Sequence, residues 1–331
     1  EMQTIHRKLI RELAQTKAQS FAIAMVIASG VAVFVMSINT LGFLTETRDA
    51  YYERYRFAHV FASVRRAPLV VAERIESISG VAATQARVVS DVTLDVPRLD
   101  EPAVGRLISF PVKYESGLNR VHLRRGRMPD PDRAGEVLVS DHFFHANRLS
   151  LDDTIDAVMN GRRQTLRIVG VALSPEYVIQ IRGGELLPDE KRFGVFWMPR
   201  LQMEAAFNME GAFNDISLRL LRGANEEEVI DEIDSLLKPY GSIGATGRDQ
   251  HISARFLADE IKQLRATGLV APTVFLAVAA FLFNIVMTRR INTHRSIIAT
   301  LKAFGYTDRE IGWHYMLTAR SVALAGALVG V

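Results

Sequence analysis

Two stretches of the chain have no polar rhythm. Ala18 to Thr45 is a run of 28 residues without a charge, and Ala266 to Thr288 is another of 23. A helix needs roughly 20 apolar residues to cross a bilayer, so each run predicts a membrane span. Neither run has the polar face of a helix packed on a soluble core. The first is too long for a typical signal peptide, and Ser37 to Leu44 offers no clear cleavage site. A third apolar run, Ser321 to Val331, reaches 11 residues where the sequence stops. It predicts that 312–331 begin a third span of a longer polypeptide, and Glu1, which is not a methionine, predicts a trimmed start.

The flanks of these runs are amphipathic. Ile5, Leu9 and Leu13 share one face of a helix that leads into the first span, with Arg7, Lys8 and Arg11 elsewhere. Span one carries Ser29, Gly30, Ser37 and Gly42, small residues that let helices approach closely in lipid. Thr45 to Arg56 continues that helix, and Tyr51, Tyr52 and Tyr55 fit an interfacial aromatic belt. His251 to Arg265 is amphipathic again, through Phe256, Ile261 and Leu264, and runs into span two, where Pro272 predicts a kink.

Between the spans the pattern alternates. His59 to Arg65 predicts a strand, Pro68 to Ile78 a helix stopped by Gly80, and Val81 to Val96 one long strand ended by Pro97. Ala212 to Leu221 predicts another strand. Asn225 caps a helix to about Leu237, with Glu226, Glu227 and Glu228 in its first turn, and a short strand ends near Arg248. Two such β-α-β halves predict a ferredoxin-like subdomain, 59–97 and 212–248, split by a β-rich, barrel-like insert over 104–211. Within the insert Glu136 to Ser140 and Phe193 to Met198 predict strands. Asp156 to Met159, Asn160-Gly161 and Thr165 to Ala172 predict a hairpin. The fold class is thus membrane α-helical spans plus an α+β outer domain.

Charge sets the orientation. Arg7, Lys8, Arg11 and Lys17 precede the first span, and Arg289, Arg290, Arg295, Lys302 and Arg309 follow the second, so both flanks read as cytoplasmic. The region 46–265 holds 30 basic and 33 acidic residues and reads as the outer domain. The formal net charge of +3 does not suggest a nucleic-acid partner. No cysteine is present, which excludes disulfides and cysteine metal sites.

The domain plan is then a cytoplasmic helix at 1–17, span one at 18–45 and the outer domain at 46–265. Stalk helices lie at 46–56 and 251–265. Span two covers 266–288 and the basic segment 289–311. That segment reads as a short helix from Ser296 to Phe304, a break at Gly305 and a new helix start at Thr307. Leu301 and Phe304 offer an apolar contact, and Arg295 and Lys302 charge for an acidic groove. The positive-inside rule alone accounts for Arg289 and Arg290.

Chemistry is sparse. There is no G-x-x-x-x-G-K-[ST] phosphate loop, G-x-S-x-G or H-E-x-x-H. Asp141, His142 and His145 have a spacing that suits metal ligands on a helix, but surface histidines are the plainer reading. Arg124, Arg125 and Arg127 read as a surface cluster, with a lipid phosphate as the alternative. Glu226 to Glu228 and Asp231 to Asp234 read as a solvated helix face.

The segment HRSIIATLKAFGYTDREI resembles the cytoplasmic segment of FtsX-like ABC-transporter permeases, through Arg295, Ile298, Leu301, Lys302, Ala303, Phe304, Gly305, Tyr306, Thr307, Glu310 and Ile311. Ile297 stands where that family commonly has Glu. The outer domain resembles the MacB-type periplasmic core. The resemblance implies that Arg295, Ile298, Leu301, Lys302, Ala303, Phe304, Gly305, Tyr306 and Thr307 form a coupling helix that contacts a separate cytoplasmic ABC ATPase, as a dimer, which holds the ATP and magnesium. This chain would bind no cofactor of its own and catalyse nothing. It would sit as a multi-pass protein in a bacterial inner membrane and transmit movement to its periplasmic domain for lipoprotein or lipid extraction or export. Membrane lipid and a periplasmic protein or lipoprotein are the further partners. The alternative is a membrane sensor with a periplasmic ligand-binding domain between two spans. The third apolar run, so soon after the second span, argues against it.

Overall fold

A computed structural model describes residues 17–97, 99–111, 117–185 and 187–331. The amphipathic helix expected over 1–17 lies outside the described residues but for its last position. In chain order the elements are α1 (Lys17–Arg54), β1 (Val60–Pro68), α2 (Leu69–Glu76), β2 (Val81–Arg87), β3 (Val89–Asp95), β4 (Ala103–Phe110) and β5 (His122–Gly126). There follow β6 (Glu136–Ser140), α3 (Asp141–Ala146), β7 (Thr154–Met159), β8 (Arg162–Leu173), β9 (Phe193–Pro199), α4 (Arg200–Phe207) and β10 (Ala212–Leu220). The chain ends with α5 (Glu226–Leu237), β11 (Ala245–Gly247), α6 (Ile252–Thr293), α7 (Arg295–Ala303) and α8 (Asp308–Gly330). They form two compact units, 47–259 and the remainder.

In the unit 47–259, four strands lie in the order β11-β1-β10-β2 with every neighbouring pair antiparallel. α2 joins β1 to β2, and α5 joins β10 to β11. Each crossover skips one strand, so two β-α-β halves interlock. Alternation puts Val60, Ala62 and Val64 of β1 on one face. There they meet Val71 and Ile75 of α2, and Val229, Ile233 and Leu237, which recur every fourth residue on α5.

The other seven strands run β5-β8-β6-β9-β4-β3-β7, and β7 also pairs with β8. Six of them therefore close into a ring, with β5 outside it. The closure needs a long strand. Arg162 to Arg167 of β8 pairs with β7, while its far half pairs with β6 on one side and β5 on the other. Asn160 (φ +49°) and Gly161 (φ +76°) make the hairpin turn between β7 and β8. Phe143, Phe196, Leu107, Ile155 and Ile168 fill the interior.

The single strand expected over 81–96 is two. β2 belongs to the four-stranded sheet and β3 to the ring, with buried Val88 between them. Both stretches have strand composition, so pattern alone conceals the crossing. It shows only in the partners, since the Val88 N–H donates to Ser109 Oγ at 2.8 Å. The inserted part therefore begins near Val89 rather than at 104. β4, β5, α3 and α4 were not predicted as elements.

The two parts of this unit are tied by buried charge. Arg87 of β2, 3% exposed, donates to both carboxylate oxygens of Glu176 at 2.6 and 2.8 Å and to Asp215 of β10 at 2.7 Å. Glu176 sits in a 3-10 turn after β8. Nearby, Asn214 exchanges two hydrogen bonds with the backbone of Val89, and Arg200 donates to the Ala86 and Ala212 carbonyls. Across the ring, Glu136 is fully buried and accepts from Arg127 and Arg167. These arginines hold its carboxyl down at about 2.

Two helices, Ser20–Arg54 and Ile252–Thr293, are long and apolar enough to cross a membrane among the described residues, and most of each belongs to the other unit. Pro272 lies inside α6 without ending it. The small residues are contact points. Gly30 lies against Phe275, Ser37 lies where a Cβ on Gly268 would stand, and a Cβ on Gly326 would come within 2.7 Å of the Ala24 carbonyl. Gly42 faces open space. The third apolar run lies in α8, which also carries Asp308, Arg309, Glu310 and Arg320.

Candidate functional site

The basic segment folds as two capped helices with a tight corner between them. α7 ends in a Schellman motif. Gly305 takes φ +91°, the Tyr306 N–H reaches back to the Leu301 carbonyl at 3.2 Å, and the Gly305 N–H reaches the Lys302 carbonyl at 3.0 Å. Only glycine adopts this backbone without strain. Two residues on, Thr307 and Glu310 form a reciprocal capping box that starts α8. The Glu310 N–H donates to Thr307 Oγ1 at 3.3 Å, and the Thr307 N–H donates to Glu310 Oε2 at 2.9 Å. The corner is thus held from both sides by backbone hydrogen bonds.

The sequence-selected residues all fall on this corner but do not share one environment. No residue of α7 is buried. Ile298 and Leu301, three apart, are half-covered along one face. Phe304 is 78% exposed, and Ile297 and Tyr306 are exposed with it. Arg295 and Ala303 are exposed, and Thr307 is committed to its cap. Lys302 is not a free charge, because its Nζ pairs with Asp308 at 2.5 Å. That pair lies on the surface and contributes at most about 1 kcal/mol.

Two features escaped the sequence reading. Ile297, noted only as a departure from the family pattern, adds to the exposed apolar surface beside Phe304. Tyr315 lies 3.3 Å from His294 Nδ1 and links α8 to the residue that caps α7. The capping box was legible, since T-x-x-E ahead of an apolar run is its signature. The ion pair was not, because nothing in the spacing of Lys302 and Asp308 shows that the chain folds back between them.

Several members of the other candidate clusters have partners within the chain. Arg124 pairs with Asp141 at 2.7 Å and Arg127 with Glu136. His145 Nε2 lies 3.4 Å from Asp141. Among the described residues no group of three or more metal-ligating side chains forms a metal site.

Residues 269–331 match the family model described as FtsX-like permease C-terminal, which spans the whole corner. No curated protein sequence matches the chain. Among solved structures, the extracellular domain of the noncanonic ABC-type transporter YknZ from Gram-positive bacteria is 13% identical, with 57% of this chain and 98% of that one covered at a TM-score of 0.38. The periplasmic region of MacB from Actinobacillus actinomycetemcomitans is 11% identical, with 64% of this chain and 95% of that one covered, again at a TM-score of 0.38. The C-terminal part of the chain, which carries Arg295 to Thr307, is thus similar to FtsX-like permeases.

Proposed function

We propose that this chain is the permease part of an ABC transporter and that the corner from Arg295 to Thr307 docks on a separate cytoplasmic ATPase. The carrying observation is the doubly capped corner with exposed Ile297, Phe304 and Tyr306 inside the family match. A loop that only obeyed the positive-inside rule would need charge but no apolar tip.

In this reading residues 18–45 and 266–288 span an inner membrane, 289–311 lie in the cytoplasm and 312–331 lead into a further span. The region 46–265 is periplasmic, and its four-stranded part is a ferredoxin-like fold split by the ring. The ATPase, a dimer, holds ATP and magnesium, while this chain catalyses nothing and carries motion. The periplasmic unit, engaging a lipoprotein, a lipid or a periplasmic protein, is what moves.

The test is to express the full-length protein with the ATPase encoded beside its gene. Wild type is expected to co-purify with it and raise ATP hydrolysis in vesicles. Leu301→Asp and Phe304→Asp are expected to lose the complex while unit 47–259 keeps its near-UV circular dichroism. A complex that forms normally with both variants overturns the docking site. No complex with wild type favours the sensor reading.

A further inference from the structure

His251 immediately precedes α6 and lies where three parts of the unit 47–259 meet. Its ring is 4.9 Å from that of Phe61, 5.8 Å from Phe57 and 6.4 Å from Tyr177. These residues belong to β1, to the link ahead of it and to the 3-10 turn after β8. Two residues further on, Ser253 Oγ accepts from the Ile179 N–H at 3.0 Å, so the start of α6 is fastened to the loop that follows the same turn. The Nδ1 atom of His251 is buried and has no hydrogen-bond partner. An orphaned polar atom in an aromatic box costs free energy, and it is unusual enough to ask what it does.

The charges around it are specific. Glu176, beside Tyr177 in that turn, attracts a proton on His251, while Arg87 of β2 and Arg106 of β4 repel one. Arg106 is itself held by Asp91 of β3 at 2.7 and 2.8 Å. Glu176 is already gripped through both oxygens by Arg87, which also holds Asp215 of β10. A neutral His251 leaves that triad alone. A protonated one competes with Arg87 for Glu176.

We propose that His251 is a proton-operated pin at the joint between the start of α6, the four-stranded sheet and the ring, and that its protonation loosens that joint. In the folded chain, burial pushes the His251 pKa below the ordinary histidine value and the Glu176 charge only partly restores it. The sign follows. The joint is fully held above the ordinary value and loses stability as pH falls from there through the folded value. Acidification therefore frees the first turn of α6 relative to the ring, whether or not the chain docks on an ATPase.

The experiment is hydrogen–deuterium exchange on the full chain in detergent at about pH 7.5 and about pH 5, which bracket the ordinary histidine value. Rates are corrected for the intrinsic pH dependence of exchange. Wild type is compared with His251→Phe, which fills the box without a proton. At low pH the wild type is expected to lose protection over residues 174–180 and the first turn of α6. His251→Phe should hold its protection. A histidine-labelled wild type is titrated by NMR alongside, in case the variant does not fold. The His251 midpoint should lie below that of exposed histidines. Unchanged wild-type protection, an equal loss in His251→Phe, or a His251 midpoint no lower than that of exposed histidines each overturns the pin.

Discussion

At Gly305 a Cβ would meet nothing within 4 Å, yet φ is +91°. Gly305→Val therefore meets no steric neighbour and is penalised by the backbone alone, by at least about 1–2 kcal/mol. We expect it to open the Schellman corner and lower ATPase stimulation in reconstituted vesicles, with unit 47–259 unaffected. Equal stimulation would show that the corner need not be rigid. Glu136 carries a different kind of prediction. Its folded pKa, about 2, lies below the ordinary value, so its contribution is present above about 4.5 and is lost as pH falls through about 2. Acid melts should show Glu136→Gln with a flatter dependence of Tm on pH in that window than wild type. Arg87→Met leaves buried Glu176 and half-buried Asp215 without their cation. A loss of about 3–5 kcal/mol is expected in chemical denaturation.

Among elements, the helices of the smaller unit meet through small residues, and this sets what each position tolerates. Gly326→Leu would drive a side chain into the Ala24 carbonyl and Ile27, and about 1–3 kcal/mol of overpacking should lower the melting temperature of the detergent-solubilised chain. Gly42→Ala, in open space within a helix, should leave it unchanged or raise it slightly. Gly30 and Ser37 were recognisable as contact residues because lipid offers helices no other means of close approach. Which glycine faced which partner was not. The β-rich elements divide the same way. The Asn160-Gly161 hairpin was legible because its turn chemistry is local. The crossing at Val88 was hidden because β2 and β3 share one continuous apolar pattern and differ only in distant partners. α3, with six residues, is too short for a helical period to stand out.

For the whole molecule, the backbone of the corner was more legible in the sequence than the fold of the unit 47–259. The corner is built from local signals, and two of them, the glycine stop and T-x-x-E, survive in the structure as named hydrogen bonds. The unit 47–259 depends on long-range pairing, so its ring closure through β8 and its Arg87 triad had no local trace. Arg87 and Glu176 are 89 residues apart and look like any surface charges in the sequence. What joins the two scales is the claim that Ile297, Phe304 and Tyr306 are exposed because a second protein covers them. The most direct test is a photo-crosslinking amino acid placed at Phe304 in full-length protein, expressed with the ATPase encoded beside its gene, with a second probe at His122 as the control. The account predicts a crosslink to the ATPase from position 304 and none from position 122. Equal labelling from both positions, or none from 304 in a complex that hydrolyses ATP, would contradict it.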